Sequence, residues 1–257
     1  MSEPYDIDYA SITELDLSNQ QLDVLPDLSM YINLVKLDCY ASITELDLSN
    51  QQLDVLPDLS MYINLVKLDC YNNNITSLNN LPDSLIELNC GSNNITLLDN
   101  LPDSLIELRC SYNKLTSLDN LPPSLKKLYC ENNKITSLDN LPHNLKELTC
   151  SNNELTLLDN LPYSLKYLAC SWNQITLLDN LPPSLKKLYC YWNEITSLDN
   201  LSQSLEELYC YNNKITSLDN LPPILELLNC GGNPFIYDFN PTLRNIREYN
   251  YSRIVVN

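Results

Sequence analysis

The chain has 257 residues, of which 15 are basic and 33 acidic, so its formal net charge is −18. This charge disfavours nonspecific binding to nucleic acid or to anionic membranes, because polyanions need a basic counter-surface. Only three glycines and two phenylalanines occur, while leucine and asparagine are abundant, which indicates that one short pattern is repeated many times.

The N-terminus is acidic and lacks an apolar stretch, so we expect no secretory signal. No window of about 18 apolar residues follows it, so we expect no membrane span. These two features predict an intracellular (cytoplasmic) protein with reduced thiols.

Residues 9–39 and 40–70 are identical, and each copy contains one 22-residue repeat, at 12–33 and 43–64. In the first copy, Leu34 is followed by the next repeat start, Ile43, after only nine residues. Nine residues cannot complete a circuit that elsewhere takes 20 or 22. We therefore predict that residues 1–42 form an N-terminal segment that is loosely attached, folds as a hairpin through 40–42, or exchanges with another chain. A tandem duplication explains the identity.

From Leu65 onward the chain repeats every 20 residues with the pattern L-x-x-L-x-C-x-x-N-x-I/L-T-x-L-D-N-L-P-x-S. Each repeat is one coil, with positions 1 to 20 counted from its first leucine. Positions 1, 4, 6, 11, 14 and 17 are apolar in almost every repeat. A single coil cannot bury six such side chains, but stacked coils can. The segment L-x-x-L-x-C predicts a short strand, and stacked strands predict a parallel sheet with a spacing of about 4.8 Å.

Asparagine recurs at position 9, where the chain turns inward. A buried amide there can satisfy backbone groups of neighbouring coils, so we interpret this row as structural. Its members are Asn73, Asn93, Asn113, Asn133, Asn153, Asn173, Asn193, Asn213 and Asn233. The D-N-L-P-x-S half of each repeat has no room for a long helix, and its proline favours extended or short 3₁₀ backbone.

The pattern resembles the leucine-rich repeat, with cysteine in place of the third strand leucine. It is also similar to the short repeats of bacterial secreted effectors and of leucine-rich-repeat proteins from large DNA viruses of amoebae. The resemblance implies an α/β solenoid, a leucine-rich-repeat horseshoe with a parallel concave sheet, an extended or 3₁₀ convex side and little helix, spanning 43–234. It also implies a binding scaffold, with the host cytoplasm as one place of action. Such effectors can carry a separate ubiquitin-ligase domain, which we do not expect after the cap.

Residues 235–257 are predicted to form a C-terminal cap with a short helix. Asn240 is expected as its N-cap and Pro241 in its first turn, with Leu243 and Ile246 on one face.

Nine of the ten cysteines recur at position 6, and Cys39 duplicates Cys70. Because a parallel ladder does not converge on one point as zinc ligands must, we expect these thiols to act as small core hydrophobes. The single histidine, His143, has no cysteine outside the core row to activate. We therefore expect no enzyme activity, metal or cofactor.

An aspartate row at position 15 could suggest calcium, but the glycine-rich calcium motif is missing. Aspartate in such a turn more often accepts hydrogen bonds from nearby backbone N–H groups, which is the interpretation we favour. The row comprises Asp99, Asp119, Asp139, Asp159, Asp179, Asp199 and Asp219.

Positions 2, 3, 5, 7 and 8 are free of core duty, and aromatic residues and lysines gather there. Tyr and Trp are favoured binding anchors. The predicted partner-binding residues are Tyr112, Lys127, Tyr129, Tyr167, Trp172, Lys187, Tyr189, Tyr191, Trp192, Tyr209 and Tyr211, supported by Lys126, Lys146, Lys166 and Lys186. The pattern predicts a protein partner with an acidic, partly apolar surface.

Three alternatives to this surface stay open. The side chains could simply cover the sheet, or they could bind single-stranded nucleic acid, the less favoured partner, with steep salt dependence. The chain could also be a structural protein that assembles through solenoid ends or through its duplicated N-terminus. The sequence leaves the oligomeric state open.

Overall fold

The computed structural model describes residues 43–255, together with two short strands before them, and gives side chains for 43–252. The chain divides into two compact units. The first comprises residues 1–115 and 120–125, and the second comprises 116–119 and 126–257.

In the first unit, the strands are β1 (Glu14–Asp16), β2 (Lys36–Asp38), β3 (Glu45–Asp47), β4 (Lys67–Asp69), β5 (Glu87–Asn89) and β6 (Glu107–Arg109). Strands β3 to β6 pair in parallel and in chain order. Strands β1 and β2 pair with each other in a separate two-stranded parallel sheet. Because β2 and β3 belong to different sheets, the repeat register breaks between the two copies of the duplication. The other predictions for 1–42 lie outside the described residues.

In the second unit, the strands are β7 (Lys127–Tyr129), β8 (Glu147–Thr149), β9 (Tyr167–Ala169), β10 (Lys187–Tyr189), β11 (Glu207–Tyr209) and β12 (Leu227–Asn229), and a single helix, α1 (Leu243–Val255), follows them within the described residues. These strands also pair in parallel and in chain order. Each strand occupies positions 3 to 5 of its coil. The predicted solenoid with parallel strands and little helix is therefore confirmed. Between the strands, the sequence predicted either extended or 3₁₀ backbone. The described residues show extended segments and turns there, and they contain no 3₁₀ helix.

The core lies where the repeat pattern predicts it. In the coil that starts at Leu165, the side chains of Leu168, Cys170 and Ile175 are fully buried. Position 17 of this coil departs from the prediction, because Leu181 is only half-buried while Pro182 beside it is buried. The carbonyl of Pro182 accepts the N–H of Leu185 at 3.0 Å. This turn draws the proline inward and leaves the leucine at the margin of the core.

All nine cysteines from Cys70 to Cys230 are buried and free, whereas Cys39 lies outside the described residues. Burial raises the pKa of the Cys170 thiol to about 12. The thiols therefore stay protonated and act as small apolar side chains, as predicted.

The asparagine row joins neighbouring coils, as its position in the repeat predicts. Asn153 donates from Nδ2 to the carbonyls of Cys130 and Cys150, at 3.1 and 3.0 Å. Its Oδ1 accepts the backbone N–H of Ile135 at 2.9 Å. The same pattern recurs at Asn93, Asn113, Asn193 and Asn213. Each amide thus satisfies one inward N–H and two carbonyls that the sheet leaves without partners.

Helix α1 covers the core of the last coil. Ile246 is fully buried, and the guanidinium of Arg247 donates to the carbonyls of Pro223 and Leu225 at 3.0 and 2.7 Å. In earlier coils the hydroxyl of the position-20 serine donates to the position-1 carbonyl of the same coil, as Ser184 does to Leu165 at 2.7 Å. The last coil has Arg244 at position 20, and Arg247 replaces the serine that is missing there.

The predicted N-cap of α1 is wrong. The hydroxyl of Thr242, not Asn240, accepts the N–H of Asn245 at 3.2 Å, and the helix begins at Leu243. Asn240 contributes its backbone carbonyl, which accepts a bond from Nδ2 of the Asn245 side chain at 3.0 Å. A threonine three residues before that N–H has the geometry that an N-cap requires.

Candidate binding surface

Strands β9, β10 and β11 turn their position-4 leucines inward, and their residues at positions 3 and 5 are partly exposed. Seven aromatic side chains occupy these positions or the turn that follows. We call them the aromatic face, which comprises Tyr167, Trp172, Tyr189, Tyr191, Trp192, Tyr209 and Tyr211. All seven were predicted from the sequence as partner-binding residues.

Three of these tyrosines lie on neighbouring strands and contact one another. The ring centroids of Tyr167 and Tyr189 are 5.4 Å apart in an edge-on arrangement, and those of Tyr189 and Tyr209 are 4.6 Å apart. The Tyr189 hydroxyl donates to a carboxylate oxygen of Glu207 at 3.1 Å. Burial raises the pKa of Tyr167 to about 12. Burial also raises the pKa of Tyr189, so the phenols of Tyr167 and Tyr189 are neutral at physiological pH.

The turns that follow β9, β10 and β11 together hold two stacked aromatic pairs, and each pair joins two neighbouring coils. Trp172 and Trp192 stack with centroids 4.6 Å apart and planes 12° apart. Tyr191 and Tyr211 stack at 4.4 Å and 6°. The stacking distance matches the spacing of neighbouring coils, so identical positions place their rings face to face. The two tryptophans are 47% and 45% exposed, and their outer faces are available for contact.

Position 8, which holds these tryptophans, has a left-handed backbone. The φ angles of Trp172 and Trp192 are 56° and 55°. Most other coils place asparagine or glycine there, also with positive φ, as at Asn152, Asn212 and Gly232, while two place Ser92 and Tyr112. Asparagine and glycine are the residue types that tolerate this conformation best. Tryptophan at this position carries a backbone cost of about 1–2 kcal/mol. Neither stacking nor burial fully explains why tryptophan stands at this position, since almost half of each side chain is exposed.

The predicted basic character of the face is weaker than the lysine count indicates. Lys186 pairs with Glu206 at 2.6 Å, and Lys187 pairs with Glu207 at 2.9 Å. The hydrogen bond from Lys187 lowers the pKa of Glu207, so both members stay charged. Lys126, Lys146 and Lys166, at position 2 of three successive coils, have no ion pair with any described residue. The unpaired positive charge therefore lies toward β7, β8 and β9.

Three predicted residues lie apart from the aromatic face. Tyr112 belongs to the first unit, where it is 59% exposed with a φ of 57°. Lys127 and Tyr129 lie on β7, and the Tyr129 hydroxyl donates to Glu147 at 3.2 Å. On the two intervening strands, position 5 holds the small residues Thr149 and Ala169, so the tyrosine row is interrupted. The acidic residues that neutralise Lys186 and Lys187 were missed, although their identical place in the next repeat could have revealed them.

The aspartate row forms a ladder of a different kind from the predicted one. Asp139 accepts a bond from the side chain of Asn160 in the next coil at 2.8 Å, and Asp179 accepts one from Asn200 at 2.6 Å. The expected partner was a nearby backbone N–H. The observed partner is instead the side chain of the asparagine that follows the equivalent aspartate of the next coil. Asn160 has a φ of 60°, and this left-handed backbone accompanies the inter-coil bond.

The described residues contain no group of three or more His, Cys, Asp or Glu side chains placed to hold a metal ion. His143 is exposed in a turn. Within the same part of the chain, no helix is both long and apolar enough to cross a membrane. The geometry thus defines a repeat protein with a partly exposed cluster of aromatic side chains.

A family model for leucine-rich repeats in two copies matches residues 103–143 and 183–223. Among solved structures, the chain is 32% identical to YopM, a leucine-rich effector protein from Yersinia pestis, with a TM-score of 0.72, covering 90% of this chain and 69% of that one. It is 31% identical to YopM from Yersinia enterocolitica, with a TM-score of 0.65, and the match covers 90% of this chain but only 58% of that one. Comparison with curated proteins found no match. The chain belongs to the leucine-rich-repeat family.

The chain is also similar to the functional domain of InlJ from Listeria monocytogenes, which includes a cysteine ladder. The identity is 28% and the TM-score 0.55, and the match covers 88% of this chain and 64% of that one. Leucine-rich-repeat proteins are commonly scaffolds for protein–protein interaction and are generally non-catalytic.

Proposed function

We propose that the chain is a non-catalytic scaffold that binds a protein partner on its aromatic face. The observation that carries this proposal is the pair of half-exposed tryptophans, Trp172 and Trp192, held at backbone positions where asparagine or glycine would cost less. Exposed aromatic rings with few rotatable bonds lose little entropy when a partner covers them. Trp and Tyr are also the residues that most often dominate binding energy.

Charge supports an acidic, partly apolar partner surface. The unpaired Lys126, Lys146 and Lys166 lie beside the aromatic face and would attract carboxylates, while the rings would cover apolar side chains. Single-stranded nucleic acid fits less well, because Glu206 and Glu207 lie among the same tyrosines and would repel phosphates. We place the proposed action in the cytoplasm, where reducing conditions keep the cysteines as thiols.

The rival function, assembly through solenoid ends, gains no support at the C-terminal end. Helix α1 covers the core there, and Ile246 is buried beneath it.

The test uses the immobilised full chain as bait in a cell lysate, with bound proteins identified by mass spectrometry. In the W172N/W192N variant both tryptophans are replaced by the residue that Asn152 and Asn212 already supply at position 8, so the fold is retained. The control is Tyr163→Asn, which alters an 82% exposed tyrosine in the turn before β9. We expect a protein that the wild type and the control retain and that the double variant loses. Equal capture by all three baits, or capture of nothing but nucleic acid, would refute the proposal.

A further inference from the structure

The charges at position 2 of the second unit change sign once along the sheet. At position 2, successive coils carry Lys126, Lys146, Lys166, Lys186, Glu206 and Glu226. At position 3, Lys187 on β10 is followed by Glu207 on β11. Position 5 of the same two strands holds Tyr189 and Tyr209. At position 2 the boundary between positive and negative residues therefore falls between β10 and β11, at the tyrosine pair. At position 3 only the two strands beside this boundary follow the same order, since Glu147 on β8 is negative.

We infer that a second copy of this chain docks face to face on this surface, with a two-fold axis that runs parallel to the strands between β10 and β11. Such an axis keeps the strand direction and reverses the order of the coils. Each position then faces the same position of the second copy. This is an isologous interface, in which one patch must complement itself.

The residues present meet that requirement at every facing pair near the axis. Lys186 would face Glu206 of the second copy, and Lys187 would face Glu207. Tyr189 would face Tyr209 at the centre, where aromatic side chains contribute most to binding. One coil further out, Lys166 would face Glu226. An arbitrary charge order would instead bring like charges together on reversal.

The outer pair supplies the clearest reason for a partner copy. Lys186 and Lys187 already have carboxylate partners within the chain. In the dimer each of these ion pairs would lie against the same pair of the second copy, so that two lysines and two glutamates alternate around a square. Lys166 and Glu226 have no ion pair with any described residue and are both exposed. Reversal of the coil order gives each of them an opposite charge. A uniformly acidic partner would leave Glu206, Glu207 and Glu226 facing carboxylates, so charge complementarity favours a second copy on this part of the face.

This inference does not rest on the proposed function, although the two share a surface. The dimer would cover Tyr189 and Tyr209, so a second copy and a protein partner would compete for the aromatic face. At high concentration the dimer would then keep the aromatic face covered, and binding of the protein partner would release a monomer.

The experiment is sedimentation of the full chain over a concentration series. The wild type should show a reversible monomer–dimer equilibrium, and Lys166→Glu or Glu226→Lys should each weaken it by about tenfold or more, because each variant makes both symmetry-related pairs repulsive. An equimolar mixture of the two variants should form a heterodimer. In that mixed dimer the two substituted positions face each other with opposite charges, and the second pair keeps its natural residues. The double variant K166E/E226K should also recover.

Matched controls are Lys134→Glu and Glu154→Lys, which reverse exposed charges at position 10 and should leave the equilibrium unchanged. A wild type that stays monomeric up to about 100 μM, single variants that dimerise normally, or a mixture that fails to associate would each overturn the inference. Glu226→Lys keeps all seven aromatic side chains and also Lys126, Lys146 and Lys166. Its partner capture therefore tests the proposed function independently of the dimer, which Lys166→Glu does not.

Discussion

Replacement of Asn153 by alanine tests the idea that the asparagine ladder holds neighbouring coils together. The side chain is 8% exposed and forms four bonds, to Ile135, Cys130 and Cys150 and, at 3.3 Å, to the carbonyl of Ser151. The backbone groups that lose the amide are not affected equally, because the carbonyls keep other donors; that of Ser151 keeps the N–H of Asn132 at 3.0 Å. The Cys130 carbonyl retains a bond from Asn133 at 3.1 Å, and the Cys150 carbonyl retains one from Asn173 at 3.1 Å.

The N–H of Ile135 loses the partner that the amide supplied. A buried donor without a partner costs about 1–3 kcal/mol, and each of the two weakened carbonyls loses about 0.5–1.5 kcal/mol. The expected loss in the free energy of unfolding is therefore about 3 kcal/mol. This is a large fraction of the stability of an ordinary domain.

Urea unfolding followed by tryptophan fluorescence measures this loss, because Trp172 and Trp192 lie in the next two coils of the same unit. The matched control is Asn144→Ala, the same chemical change at an exposed position, which should shift the free energy by no more than about 0.5 kcal/mol. The dependence on urea must keep its slope for the comparison to hold. A loss below about 1 kcal/mol at Asn153, or one equal to the control, would refute the account of the ladder as the main polar tie between coils.

The remaining predictions concern the thiols and the cap. Burial raises the pKa of Cys170 to about 12 and that of the less enclosed Cys230 to about 11, so a thiol reagent at pH 8 should label Cys230 first and the inner cysteines no faster than the chain unfolds. The folded pKa values lie above the unfolded value of about 8.5. The stabilisation that the buried thiols contribute should therefore be fully present below about pH 8.5, and the melting temperature should fall between about pH 8.5 and 12, as thiolates form in the unfolded chain. A flat profile in that range would contradict the burial. Arg247→Ala removes the donor to Pro223 and Leu225 and should speed amide hydrogen exchange in residues 205–234. Arg244→Ala, which breaks only an exposed pair with Glu248, should leave exchange unchanged, and equal effects would show that Arg247 does not replace the missing serine.

The repeat period was sufficient to predict the strands, the buried thiols and the asparagine ladder, because each depends on one position meeting its own equivalent in the next coil. Asn153 and Cys170 face inward for reasons already visible in the spacing. The pairing of Lys187 with Glu207 depends instead on where neighbouring coils differ. That information is present in the sequence, but it becomes a contact only when the strand register is known.

Backbone conformation was the second thing that spacing could not predict. The D-N-L-P motif indicates a turn at Asp139, but it does not show that the asparagine after each aspartate reaches back one coil. Only the left-handed φ of Asn160 and its bond to Asp139 reveal a ladder there. The N-cap shows the same limit, since Asn240 and Thr242 are both good caps and local geometry selects Thr242.

Position 8 shows both a preference that the whole repeat shares and a departure from it in particular coils. Because its backbone is left-handed in coil after coil, asparagine and glycine are the residues that the fold itself favours there. Trp172 and Trp192 depart from that preference in adjacent coils, and their stacked rings remain half exposed. The proposed partner would cover these rings and so account for a residue that costs stability and stays in contact with solvent. Substitution by asparagine should therefore preserve the fold and remove binding, an outcome that a purely structural role for the tryptophans does not predict.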